Sequence, residues 1–267
     1  MQKKAYICNE ETSFYPMKRN SELKDTALAA LKGNWAKAIL ATVIFLAIYL
    51  VAAGPYSMQT FKMQTYMQEE MGYTQNASLT EIVNMSMAMT QDPTVVEMQT
   101  KARGYSGWMY LVYFFLIFPL TLGFMNALLK LLRTGDASIT ENTFHIAFQN
   151  YWHKVWGMVL MHIFIWLWSL LLIIPGIIKS FSYAMTPFIL EENPELSANE
   201  AIDRSRAMMR GHKFDLFWLL LSFIGWFFLC ILTFGIGFLW LVPYMQTTEA
   251  AFYQEVKADY ELNGGLI

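Results

Sequence analysis

Charge is scarce in this 267-residue sequence: Asp, Glu, Lys and Arg together supply 15% of it, against about 25% in a soluble domain. With 55% hydrophobic residues beside it, that shortage excludes a disordered chain and exceeds what one soluble core absorbs. A formal net charge of −2 excludes the strong basic field of a nucleic-acid binder, so no nucleic acid is expected as a partner. Two cysteines, Cys8 and Cys230, are too few for a disulfide scaffold. What is plentiful is apolar sequence in runs of about 18 to 23 residues. At about 1.5 Å per residue each can cross a hydrocarbon layer of about 30 Å. The expected fold class is all-α, a polytopic transmembrane helical bundle of about six spans.

The runs are 36–53, 108–132, 155–174, 175–190, 214–232 and 236–252. A mostly polar stretch with Lys18, Arg19, Lys24 and Lys32 precedes the first run and is far longer than a secretory leader needs, so an uncleaved anchor is expected. Pro175-Gly176 reads as a hairpin between spans three and four, and Thr233-Phe234-Gly235 as the bend between five and six. Six crossings place both termini on one side. Fifteen basic residues then fall on that side, and only Lys62, Lys101, Arg103 and Lys179 fall opposite. The asymmetry predicts cytoplasmic ends, and hence no disulfide for Cys8.

A fixed spacing recurs at the cytoplasmic start of three spans. Ser21, Ser138 and Ser197 each stand sixteen residues before a lysine, respectively Lys37, Lys154 and Lys213. Ser138-Ile-Thr-Glu141 and Ser197-Ala-Asn-Glu200 have the capping-box pattern, in which hydroxyl and carboxylate satisfy free amides at a helix start. His153 and His212 precede their lysines, and each lies twenty-three residues before a bend glycine, Gly176 or Gly235. The predicted unit is an amphipathic helix followed by a helical hairpin, used three times. Its apolar faces would be Leu23, Ala27, Ala30 and Leu31; then Phe144, Ala147, Phe148, Tyr151 and Trp152; then Ala198, Ala201, Ile202, Ser205, Met208 and Met209. Such helices are expected to lie in the headgroup plane with their apolar faces down, or else to pack on neighbouring cytoplasmic loops. The resulting divisions are a tail (1–20), a first unit (21–53), a Met-rich outer loop (54–107), a span (108–132), a second unit (133–190), a third unit (191–254) and a second tail (255–267).

The stretch Leu170–Met185, with Pro194-Glu-Leu-Ser-Ala-Asn-Glu-Ala-Ile202, Ser205-Arg206, Met209 and Gly211-His-Lys213, resembles the signature of domain of unknown function 975. Gly33-Asn34-Trp35 and the runs Phe223–Trp226 and Pro243–Gln246 match it as well, so the resemblance covers nearly the whole chain outside the loop after span one. It implies a bacterial plasma-membrane protein and carries no activity with it.

No residue set in the sequence has catalytic spacing. There is no HExxH, no Gly-x-Ser-x-Gly and no Walker glycine loop, and Glu191-Glu192 lacks the arginine of an intramembrane EExxxR protease, because Leu196 stands there. A non-enzymatic protein without a cofactor is therefore expected. Its partners would be membrane lipids or another protein at the cytoplasmic interface. Arg204, Arg206, Arg210, Lys213 and Lys154 are the candidate phosphate contacts. The alternative is a permease with a central cavity lined by Asn126, His162, Ser169 and Ser222, although His162 also suits a backbone carbonyl or Asn126 as partner. In the outer loop, Met85-x-Met87-x-Met89 is a weak Cu(I) candidate, whereas Met63, Met67 and Met71 recur as a packed helix face does.

Overall fold

A computed structural model describes residues 17–72 and 78–262, with the side chains of Leu79, Glu81, Ile82 and Met85 outside the description. Cys8 also lies outside the described residues. Every long apolar run has become a helix, as a hydrocarbon environment requires of backbone amides and carbonyls. In order the helices are α1 (Asn20–Leu31), α2 (Trp35–Glu69), α3 (Leu79–Gln91) and α4 (Pro93–Val112), then a π-helical turn (Tyr113–Ile117) leading into α5 (Phe118–Thr134). They continue as α6 (Ile139–Phe148), α7 (Tyr151–Leu171), α8 (Ile173–Tyr183), α9 (Thr186–Glu192), α10 (Ala198–Met208), α11 (Lys213–Leu221), α12 (Ile224–Leu232) and α13 (Phe238–Leu262). Among the described residues there is no strand.

Among the described residues, five stretches are long and apolar enough to cross a membrane: Trp35–Glu69, Pro93–Thr134, Tyr151–Leu171, Ile173–Glu192 and Lys213–Leu232. The sixth expected run forms the first half of α13, where Gln246-Thr247-Thr248-Glu249 interrupts its hydropathy. The chain divides into two compact units, Thr42–Thr121 and the described residues on either side of that stretch.

In the unit Thr42–Thr121, the expected outer loop is helical for most of its length. Gly54-Pro55 lies inside α2. Proline gives up one amide bond there, and Ser57 Oγ donates to the carbonyl of Gly54 at 2.9 Å. Asp92 caps α4, its Oδ1 accepting from Thr94 N at 2.7 Å and Val95 N at 3.2 Å, with Pro93 in the first helical position where no amide is needed. The Tyr66 hydroxyl donates to the other oxygen of Asp92 at 3.1 Å, and Gln59 Nε2 to the Met98 carbonyl at 3.4 Å. Met67 is buried and Met63 half-buried one turn away, as a packed face predicts.

In the other unit, α1, α6 and α10 each end at an elbow with a left-handed residue: Gly33 (φ 82°), Asn150 (φ 49°) and Gly211 (φ 86°). Of the two expected capping boxes, one is present and one is not. Ser197 makes the full box, with Glu200 accepting from Ser197 N at 2.7 Å. Ser138 makes no side-chain cap; Asp136 displaces Glu141 by accepting from Ser138 N at 3.0 Å and from Asn142 Nδ2 at 3.0 Å. Ser21 lies within the first turn of α1, where Arg19 N donates to Glu22 at 3.1 Å.

The buried faces are also partly rotated. Leu23, Ala27 and Leu31 of α1 are buried as expected. On α6 the buried residues are Ile139, Thr143, Ile146 and Ala147, while Phe144, Phe148 and Trp152 are exposed. The expected face of α10 is buried in full, but under protein. Ser205 Oγ accepts from Met185 N at 3.2 Å and donates to the Ser182 carbonyl at 3.0 Å, seating the helix on the break between α8 and α9. An apolar face laid on lipid is therefore not what α10 presents.

The hairpin turns depend on small residues. Leu172 is extended between α7 and α8, three residues before Pro175, which sits in the first turn of α8. A Cβ on Gly176 would stand 2.8 Å from Cα and 2.9 Å from Cβ of Ser169, so the two helices touch backbone to backbone there. At the next hairpin, Gly237 approaches Cys230 in the same way, with an added Cβ 2.8 Å from its Sγ. The bend predicted at Thr233-Phe234-Gly235 is present, with φ 51° at Phe234 and 87° at Gly235, and Gly235 N donating to the Cys230 carbonyl at 2.8 Å.

Candidate functional site

The C-terminal end of α9 carries Glu191 and Glu192 at the close of an apolar run, and two adjacent carboxylates at low exposure need cations. They find them on three other helices. Lys154 of α7 pairs with Glu191, and its Nζ also donates to the Ile146 carbonyl at 2.5 Å. Arg133 of α5 pairs with Glu192, and from α13 Lys257 Nζ reaches the same carboxylate at 2.5 Å and the Tyr253 hydroxyl donates to it at 2.7 Å. Next to them, Arg204 Nη1 donates to Asn193 Oδ1 at 3.1 Å, and Lys18 Nζ lies 2.7 Å from Glu255. The Tyr253 ring stacks on Phe188 with centroids 4.7 Å apart, which closes the cluster on its apolar side. Farther along α13, His212 Nε2 lies 3.0 Å from Asp259 and its Nδ1 3.4 Å from Asp215. This network joins α5, α7, α9, α10 and α13. It holds the elements in place.

A second arrangement is open. Between α7, α8 and α10 is a cleft of about 320 Å³ whose lining includes Phe164, Trp168, Lys179, Tyr183, Asp203 and Arg206. From α10 it also receives Asn199 and Ile202, so that positions 199, 202, 203 and 206 supply one helical face. The Lys179 Nζ stands over the Trp168 ring, 4.5 Å from its centroid. Arg206 Nη1 bonds Asp203 Oδ1 at 2.6 Å. Lys179, counted opposite the arginines along the chain, shares this cleft with Arg206.

The remaining candidates separate into committed and uncommitted groups. Lys154, read as a phosphate contact, is 2% exposed and held by Glu191, so its charge is already matched inside the protein. Arg204 is half-buried against Asn193, Arg206 and Arg210 are exposed, and Lys213 is half-buried. The residues proposed for a permease cavity do not converge. Asn126 is buried, donating to the carbonyls of Leu122 at 3.0 Å and Pro187 at 3.2 Å, and so ties α5 to α9. His162 Nδ1 lies 2.8 Å from the Met158 carbonyl, the backbone partner expected for it. Ser169 and Ser222 each donate to a carbonyl of their own helix, Ile165 and Leu219. On α3, Met87 and Met89 are two residues apart and so point about 200° apart, away from a shared ion. Met87 and Met89 are on different faces from their neighbours in the series, and the Met85 side chain lies outside the described residues. Among the described residues no group of His, Cys, Asp and Glu could hold a metal ion.

The sequence reading had weighed Glu191-Glu192 only as a protease motif. The available signal was their position, two adjacent carboxylates closing an apolar helix.

Helices of this length and apolarity, joined by short elbows and tight hairpins, define a polytopic helical bundle. The chain belongs to the family described as protein of unknown function (DUF975), whose model matches residues 17–260. No curated protein and no solved structure matches it.

Proposed function

We propose that this is a non-enzymatic integral protein of the bacterial plasma membrane that binds anionic lipid at the cytoplasmic interface, with both chain ends on that side. The observation that carries the reading is the division of labour along α10 and the turn that follows it. The apolar face of α10 is used up against protein, while Arg206 and, beyond the helix, Arg210 stay exposed and Lys213 half-exposed. Guanidinium and ammonium groups at headgroup depth suit phosphate oxygens.

A threefold plan fits this reading, with one adjustment to the spacing. Starts of α6 and α10 are 59 residues apart, Ile139 to Ala198. Beyond the elbow the equivalent positions are 61 apart: Asn150 with Gly211, Ser169 with Cys230, Leu172 with Thr233 and Gly176 with Gly237. The third elbow is therefore two residues longer, and His153 and His212 do not occupy equivalent places. His153 lies inside the first turn of α7, and His212 precedes α11.

The test is the lipid that survives purification. Replacing Arg204, Arg206, Arg210 and Lys213 together with alanine should cut retained anionic lipid severalfold, as quantified by mass spectrometry of extracts. An unchanged content would sink the reading.

A further inference from the structure

Resting on that reading of α10, the lipid site can be narrowed. We propose that the cleft between α7, α8 and α10 seats the phosphate of an anionic glycerophospholipid, with Lys179 as its central cation.

The argument begins with charge balance. Arg206 is matched by Asp203 at 2.6 Å. The Lys179 ammonium has no ion pair or hydrogen bond among the described residues; the Trp168 ring lies beneath it and Arg206 lines the same cleft. Two cations thus face one carboxylate, Asp203, in a partly apolar cleft. Water screens such a cluster on a soluble surface, but here Lys179 is flanked by exposed Ile177 and Ile178, which belong against acyl chains. A single phosphodiester charge entering the cleft reduces the excess without a proton transfer. Its oxygens accept from the three donors of the ammonium and from the Arg206 nitrogens not committed to Asp203. Trp168 keeps the ammonium from folding away, and Ile177 and Ile178 supply the apolar path along which the glycerol and chains leave. A free phosphate would use the same cations but gain nothing from that path.

The two sources are separated by titrating full-length protein in detergent with dioleoyl phosphatidylglycerol, dioleoyl phosphatidylcholine or inorganic phosphate, reading occupancy by native mass spectrometry. We expect phosphatidylglycerol to bind preferentially. Lys179→Gln should weaken it roughly tenfold, the scale of one charge-assisted hydrogen bond, and Lys179→Arg should retain most of the affinity. Asp203→Asn should tighten binding about two- to threefold by freeing Arg206 from its competitor, a gain that a purely structural role for the cleft would not produce. Full affinity in Lys179→Gln, weaker binding in Asp203→Asn, or phosphate competing as well at equal concentration as the lipid would each overturn the proposal. The outcomes also separate the two levels of the argument. If Lys179→Gln binds normally while an Arg204, Arg210 and Lys213 triple alanine variant does not, this site falls and the interfacial reading stands. If neither variant loses lipid, both fall.

Discussion

The unit Thr42–Thr121 and the rest of the described chain are built from the same material, apolar helix, but are tied together differently. In the first, side-chain bonds between helical segments include Tyr66 to Asp92 and Gln59 to the Met98 carbonyl, and Met67 is buried with Met63 half-buried. In the second, two buried carboxylates collect cations from three helices, and glycines at 123, 157, 176 and 237 bring elements so close that an added Cβ would collide with a neighbour. Polar bonds with fixed geometry and close backbone approaches specify one arrangement, whereas methionine adapts to several. The unit with Arg133, Lys154 and Glu192 is therefore the one in which single substitutions should have the largest effects.

Lys154→Ala tests this most severely, because it leaves Glu191 in place without its cation. Breaking a buried pair on one side costs about 3–5 kcal/mol, enough to lower the thermal midpoint of the detergent-purified protein by many degrees. Removing both partners with Lys154→Met and Glu191→Leu should recover most of the loss. In the other unit, Asp92→Ala removes the cap of α4 and the acceptor for Tyr66, with an expected cost of about 1–2 kcal/mol confined to faster hydrogen exchange at the start of that helix. A midpoint shift equal to that of Lys154→Ala would erase the contrast between the two units.

The smallest effect is electrostatic and exposed. The Asn142 side chain, the Ser138 amide and the Lys130 ammonium hold the Asp136 carboxyl well below its ordinary value of 3.8. Because the folded value is the lower one, its stabilisation is complete above the ordinary value and is lost as pH falls toward the folded one. The midpoint difference between the parent and Asp136→Asn should be greatest at about pH 6 and shrink by about pH 3. A difference that grows on acidification would mean another group governs the helix start.

These contrasts explain which parts of the protein could be read from its sequence. Length and periodicity revealed the helical class, the Ser197 box and the bend at 233–235, because each is a local property of a few consecutive residues. The Ser138 box failed because Asp136, two positions earlier, takes the Ser138 amide that Glu141 would have accepted from. Helix α2 ran past its predicted end because proline stops a helix only when the lost bond matters, and at Pro55 the helix continues. The Glu191 and Glu192 cluster was invisible for a different reason. Tyr253 and Lys257 lie 61 and 65 residues from Glu192, and no local pattern encodes a meeting over that distance. Counting along the chain locates the Cα of Lys179 but not the cleft that its side chain reaches.

The same separation along the chain sets an order of events during synthesis. Arg133 exists before Glu192 leaves the ribosome, whereas Tyr253 and Lys257 follow it by 61 and 65 residues. At elongation rates of about 5–20 residues per second, the carboxylate waits roughly 3–13 s for its later partners. Of the three groups bound to Glu192, Arg133 is the one already synthesised when that carboxylate is made.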